Sequence, residues 1–152
     1  MTTRADDPFD LDRFVVAQAG DYEQALAELR AGRKRSHWIW YILPQLQGLG
    51  HSQMSRRYAI ESLAMARAYL AHPILGPRLE TCVAALNALA GRSAVDVLGA
   101  VDAAKFRSCA TLFAEAAGDG SVFAAALNKY FKGQPDRTTL LLLAAGAQSG
   151  DS

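Results

Sequence analysis

Cysteine and histidine are scarce in this 152-residue chain, which has two of the first and three of the second. Two cysteines do not make a disulfide scaffold, and Cys82 and Cys109 both sit in Ala/Leu-rich stretches that read as buried free thiols. The histidines, His37, His51 and His72, are far apart, and no HExxH or CxxC pairing exists, so neither a metal nor a cofactor is expected. Long hydrophobic runs are absent. The longest, 38–43 and 140–145, fall far short of the roughly 18–20 residues that a bilayer requires, and residues 1–8 contain no apolar leader core. The expectation is a cytoplasmic protein with no membrane partner. Sixteen Lys and Arg against 15 Asp and Glu leave a formal net charge of +1, so no global field favours nucleic acid. Val, Ile and Thr together number 17 against 29 Ala and 19 Leu. Ala and Leu lose little freedom in a helix, and an all-β fold is excluded.

What remains is material for one helical core. With 51% apolar and 20% charged residues, the chain is not intrinsically disordered, and its length suits a single domain. We expect an all-α, compact single-domain bundle over 9–145, built of about eight short helices and not a regular four-helix bundle, with flexible termini at 1–8 and 146–152. Leu11, Phe14, Val15 and Gln18 mark the first helix, with Asp10 as its cap and Gly20 as a left-handed stop. Asp21 with Gln24 reads as a capping box for the second, which Gly32 ends. Further on, Ser52, the Ser93/Asp96 pair, Asp102, Ser121 and Asp136 stand where helix caps belong. The segment 36–43 suits a buried strand by its aromatics and β-branched residues, but its helical surroundings favour a short buried helix that Pro44 must end.

Charge placement is more informative than net charge. Between Arg30 and Ile60 lie Arg30, Arg33, Lys34, Arg35, Arg56 and Arg57 and no acid, leaving −5 for the other residues (+1 minus +6). The same stretch holds Trp38, Trp40, Tyr41 and Tyr58. Guanidinium forks clamp phosphates and aromatic faces stack on bases, so an anionic ligand is the natural partner; a buried aromatic core flanked by solvated arginines explains the same pattern. The turn Gly48, Gly50, Ser52 can turn backbone N–H groups toward an anion, though it matches no nucleotide fingerprint. Helical spacing puts Lys105, Ser108 and Thr111 on one ridge, with Asp102 placed to orient Lys105. His37, beside Lys34 and Arg35, is a candidate for proton exchange near neutral pH.

Several longer motifs carry a resemblance. They are His37-Trp-Ile-Trp-Tyr-Ile-Leu-Pro-Gln45, Gly48-Leu-Gly-His-Ser52, Ser55 with Tyr58-Ala-Ile60, 68–79, 102–113, and Lys129-Tyr-Phe with Gly133. On these the chain, from roughly Phe9 to Leu143, resembles the bacterial and fungal family known as domain of unknown function 1810. The resemblance implies a small, mostly helical fold and supplies no activity. The label calpastatin that some members have carried gets no support from a chain without disordered, charge-rich repeats. Ile39 and Leu43 replace Met and Phe of the family pattern, and Cys109-Ala110 replaces Ser-Met.

Two functional readings stay open. One is a pocket for a phosphorylated or nucleotide-like small anion, framed by Trp38, Trp40 and Tyr58, contacted by Arg33, Lys34, Arg35, Gly48, Gly50, Ser52 and Arg56, and extended to hydrolysis if His37, Lys105 and Ser108 converge on it. The other is a non-catalytic module that grips a protein or single-stranded nucleic acid, less favoured because it needs its aromatics exposed.

Overall fold

The computed structural model describes residues 6–148, which form ten helices and no strand. In chain order they are α1 (Asp12–Gln18), α2 (Tyr22–Ala31), α3 (Ile39–Ile42), α4 (Gln53–Arg57), α5 (Leu63–Ala71), α6 (Leu75–Asn87), α7 (Ala94–Leu98), α8 (Ala100–Ala117), α9 (Val122–Phe131) and α10 (Arg137–Gln148). The all-α expectation holds, with three one-turn helices raising the number above eight. No helix among the described residues is long and apolar enough to cross a membrane. The expected flexible ends fall largely on 1–5 and 149–152, outside the described residues, and α10 continues past the expected boundary at 145.

Helix α8 is the axis. Its Phe106, Cys109, Ala110, Leu112 and Phe113 are fully buried, and α5, α7, α9 and α10 pack around it, while α6 joins α2, α5 and α9 behind. Both cysteines are free and buried, and burial pushes the Cys82 thiol up to about 12.

Several caps differ from the sequence pattern. Asp10 does not cap α1; Asp7 does, its carboxylate accepting the N–H groups of Leu11 at 2.8 Å and Asp12 at 3.0 Å. Gly20 is not left-handed, since α1 already stops at Ala19. No capping box forms at Asp21, whose carboxylate accepts the Tyr41 hydroxyl, while Gln24 turns to Glu28. Asp102 lies inside the first turn of α8 and pairs with Lys34. At Asp21 and Asp102 a tertiary partner outcompetes the local backbone for the same side chain. The expected Ser52 and Ser121 caps, the Ser93/Asp96 box and the αL stop at Gly32 are present, and Asp136 accepts the Thr139 N–H at 2.9 Å.

The aromatic segment is helical for one turn. Apart from the half-buried Trp40, α3 and its neighbours are buried, with Trp38, Ile39, Tyr41, Ile42 and Leu43 in the core, so neither period is visible in its sequence. What holds the preceding basic loop is Glu28, 5% exposed on the inner face of α2. One carboxylate oxygen accepts the N–H groups of Arg35 (2.8 Å) and Ser36 (3.0 Å) and the indole N–H of Trp38 (2.9 Å). The other accepts the Ser36 hydroxyl (2.6 Å) and the Gln24 amide (2.7 Å). Burial pushes this carboxyl up, but the bonds from Ser36, Arg35, Gln24 and Trp38 outweigh burial and hold it at about 2, against an ordinary 4.5.

A carboxylate held low contributes stability that is complete above about pH 4.5 and is lost as pH falls toward 2. Glu28→Gln sets an amide NH2 among donors and should cost roughly 2–3 kcal/mol in urea unfolding at pH 7. The same variant should flatten the acid limb of the stability profile. Equal urea midpoints for the two proteins would refute the assignment.

Candidate functional site

The site is built where α3, α4 and α8 meet. Ile39, Trp40, Leu43, Gln45, Ser55, Tyr58 and Lys105 line one cleft. Ile39 and Leu43 belong to the core turn and form the floor, with the indole of Trp40 half-buried at its edge. Tyr58 supplies a buried ring, edge-on to Phe14 and Tyr41 at 5.5 and 5.3 Å between centroids. Lys105 reaches over from α8, its ammonium 5.6 Å from the Trp40 ring. Among the described residues it forms no salt bridge, because Asp102 one turn earlier is taken by Lys34 at 2.9 Å.

The polar groups of the cleft are donors. Ser55 Oγ accepts from Ser52 Oγ at 3.0 Å, leaving its own proton to point elsewhere. The Gln45 main chain is fixed, its carbonyl accepting the Ile60 N–H at 3.0 Å, and its side-chain amide has no hydrogen bond among the described residues. An ammonium, a hydroxyl and an amide beside an aromatic face suit a compact oxyanion. The cleft is small. Its free volume of about 10 Å³ has room for about one water molecule, against the ~300 Å³ or more of a small-molecule pocket.

Trp40, Tyr58 and Lys105 are thus brought together as expected, and the other expected residues are not. Trp38 is 1% exposed with its N–H on Glu28, so it offers no face to a ligand. Lys34 is neutralised by Asp102 and lies 4.9 Å over the Trp38 ring, so Asp102 orients Lys34 and not Lys105. Ser108 is buried and donates to the Ala104 carbonyl of its own helix at 3.2 Å. His37, Arg33, Arg35 and Arg56 are exposed and line no part of the cleft. Gly48 backs onto Leu142, Gly50 presses on Ser55, and Ser52 caps α4. The proton-transfer set His37, Lys105, Ser108 is therefore not assembled.

Gln45, Ser55 and Glu28 carry roles that the sequence reading did not assign. A serine three residues after a capping serine, and an acid on the apolar stripe of α2 just before six cations, were the available signals. A larger cavity of about 300 Å³ lies at the start of α1 against His72, but Asp6, Asp7 and Asp12 give it the wrong sign for an anion. His72 Nδ1 there accepts the N–H groups of Ile74 and Leu75 at 3.1 and 3.2 Å, ending its use as a ligand on that side. No group of three His, Cys, Asp or Glu among the described residues is placed to hold a metal ion.

An all-helical fold whose one-turn aromatic helix meets a lysine-bearing central helix defines the class. The chain belongs to the family described as protein of unknown function (DUF1810), whose model matches residues 8–143. A solved relative is the conserved hypothetical protein Rv1873 from Mycobacterium tuberculosis, 51% identical over 90% of this chain and 98% of that one, with a TM-score of 0.88. Comparison with curated proteins finds no match.

The two lysines separate structure from site. Lys34 is 8% exposed and Asp102 18%, so Lys34→Met strands a largely buried carboxylate and should cost roughly 2–4 kcal/mol in urea unfolding. Lys105→Met keeps its apolar stem over Trp40 and should shift stability by less than about 0.5 kcal/mol. A reversed order of the two midpoints would contradict this division.

Proposed function

We propose that this chain binds a phosphorylated, nucleotide-like small molecule by its terminal oxyanion, in the cleft between α3, α4 and α8. The observation that carries the reading is Lys105, a cation without a carboxylate partner among the described residues, held with Ser55 and Gln45 around the Trp40 edge. Lys105 supplies charge, Ser55 and Gln45 supply directed hydrogen bonds, and Trp40 supplies an apolar flank for the adjoining part of the ligand. As it stands the cleft holds about one water, so it must widen to take even one oxyanion group, and a base or sugar lies outside it. The setting we infer is the cytoplasm, whose reducing conditions suit two buried free thiols.

The proposal stops at binding. Ser55 Oγ has Ser52 as its partner and no base, and His37 and Ser108 lie outside the cleft, so hydrolysis has little support. The strand-binding alternative is supported less still, since Trp38, Tyr41 and Tyr58 are buried and leave mainly Trp40 to stack on a base.

Calorimetry with orthophosphate, ribose 5-phosphate, AMP and ADP-ribose tests the reading. At least one phosphorylated probe should bind below millimolar Kd, and Lys105→Met should weaken it by about 10–100-fold, the worth of a hydrogen bond to a charged group. Absence of binding across the panel, or unchanged affinity in Lys105→Met, would sink it. Oligonucleotide binding that weakens steeply between about 50 and 200 mM salt would favour the alternative instead.

A further inference from the structure

We infer that residues 47–57 form the moving wall of the cleft, the outer part of an Ω-loop that swings α4 outward to admit the oxyanion and closes Ser55 onto it. This deepens the binding reading above and rests on it. A cleft with room for about one water cannot take a phosphate unless a wall moves. Ile39, Trp40 and Leu43 belong to the core segment around α3, and Lys105 rises from the central helix α8. Ser55 stands on α4, which has no buried residue, and the buried Tyr58 ring that follows α4 stays in the core as the rear hinge, so displacing Gln53–Arg57 uncovers little apolar surface beyond the half-buried Met54.

The geometry is that of a loop pinned at its base. Leu46 and Ile60 form a parallel bridge, with the Gln47 N–H donating to the Ile60 carbonyl at 2.8 Å and the Ile60 N–H to the Gln45 carbonyl at 3.0 Å. Such closed, self-packed surface loops are frequently functional. Arg13 holds the returning limb, donating to the carbonyls of Arg57 (2.9 Å) and Ala59 (3.4 Å). The leading limb is attached by Leu49 and Met54, which are only half-buried. Gly50 is its pivot: a Cβ there would stand 2.5 Å from the Cβ and Oγ of Ser55 and 3.3 Å from Gln45 Nε2. Gly50 thus lets the loop close on both donors at once. Its φ is not left-handed, so alanine fits the backbone and acts purely as a wedge.

Residue-resolved hydrogen exchange on the intact protein tests the inference. The amides of Ser55, Arg56 and Tyr58, all hydrogen-bonded within the loop, should exchange at least about tenfold faster than those of Gln47 and Ile60 at its base. Gly50→Ala should speed those three amides further and raise acrylamide quenching of Trp40, with α6 and α8 unchanged and Trp38 silent because it is buried. Equal protection at all five positions, or a wedge that loosens every helix together, overturns the moving wall. Quenching unchanged in Gly50→Ala does the same, and would leave rotation of the Lys105 side chain as the way in. Should Gly50→Ala fail to fold, the wild-type exchange pattern decides alone. Saturating orthophosphate should slow the three amides. Phosphate that binds without slowing them overturns the wall and spares the binding reading, whereas failure of orthophosphate, ribose 5-phosphate, AMP and ADP-ribose alike to bind, with the fast amides intact, overturns binding by this cleft and the purpose of the opening.

Discussion

One buried carboxylate organises the basic, aromatic segment that leads into the candidate cleft. Glu28 gathers two main-chain N–H groups, a hydroxyl, an indole and an amide, and so turns a stretch of cations into a fixed loop. A buried carboxylate is tolerable only when its lone pairs are used, and five donors use them. The consequence runs forward along the chain: with the Trp38 N–H on Glu28, the next turn starts at a set place and angle, and Trp40 leaves the core at its edge.

The second fixed point is on α8. Asp102 takes Lys34 and Lys105 lies over Trp40, so two successive ridge positions of the central helix hold the two ends of the same segment. The first contact is largely buried and structural. Because the first contact takes Asp102, Lys105 is left over the Trp40 ring with no carboxylate partner among the described residues. The same helix therefore supplies both the structural anchor and the cation at the cleft, a division that the spacing of Asp102 and Lys105 does not disclose.

The aromatic residues divide in the same way. Tyr41, Tyr58 and Tyr69 belong to a packed cluster with Phe14 and Phe113, in which rings meet edge-on or tilted at 5.3–5.5 Å between centroids, and Trp38 is buried with its N–H on Glu28. Burial takes the Tyr41 and Tyr69 hydroxyls well above their ordinary range, so neither ionises near neutral pH. Gln18, also buried, ties this cluster together by donating to the Tyr41 carbonyl at 2.7 Å and the Tyr69 hydroxyl at 3.1 Å. A composition that looks like a stacking surface is for the most part a core.

Helix content, the apolar faces of α1, α2 and α6, the serine caps and the glycine stop of α2 were legible in the sequence, because each depends on residues within a turn or two of one another. So was family membership, carried by long ordered motifs. The path of 33–43 was not, since its direction is set by a carboxylate on another helix, and local pattern carries no information about such a partner. Nor was the choice among chemically equal candidates: Trp38 or Trp40, Lys34 or Lys105, Ser55 or Ser108. Each pair offers the same functional group, and only tertiary packing decides which member is desolvated and paired and which is left at the cleft.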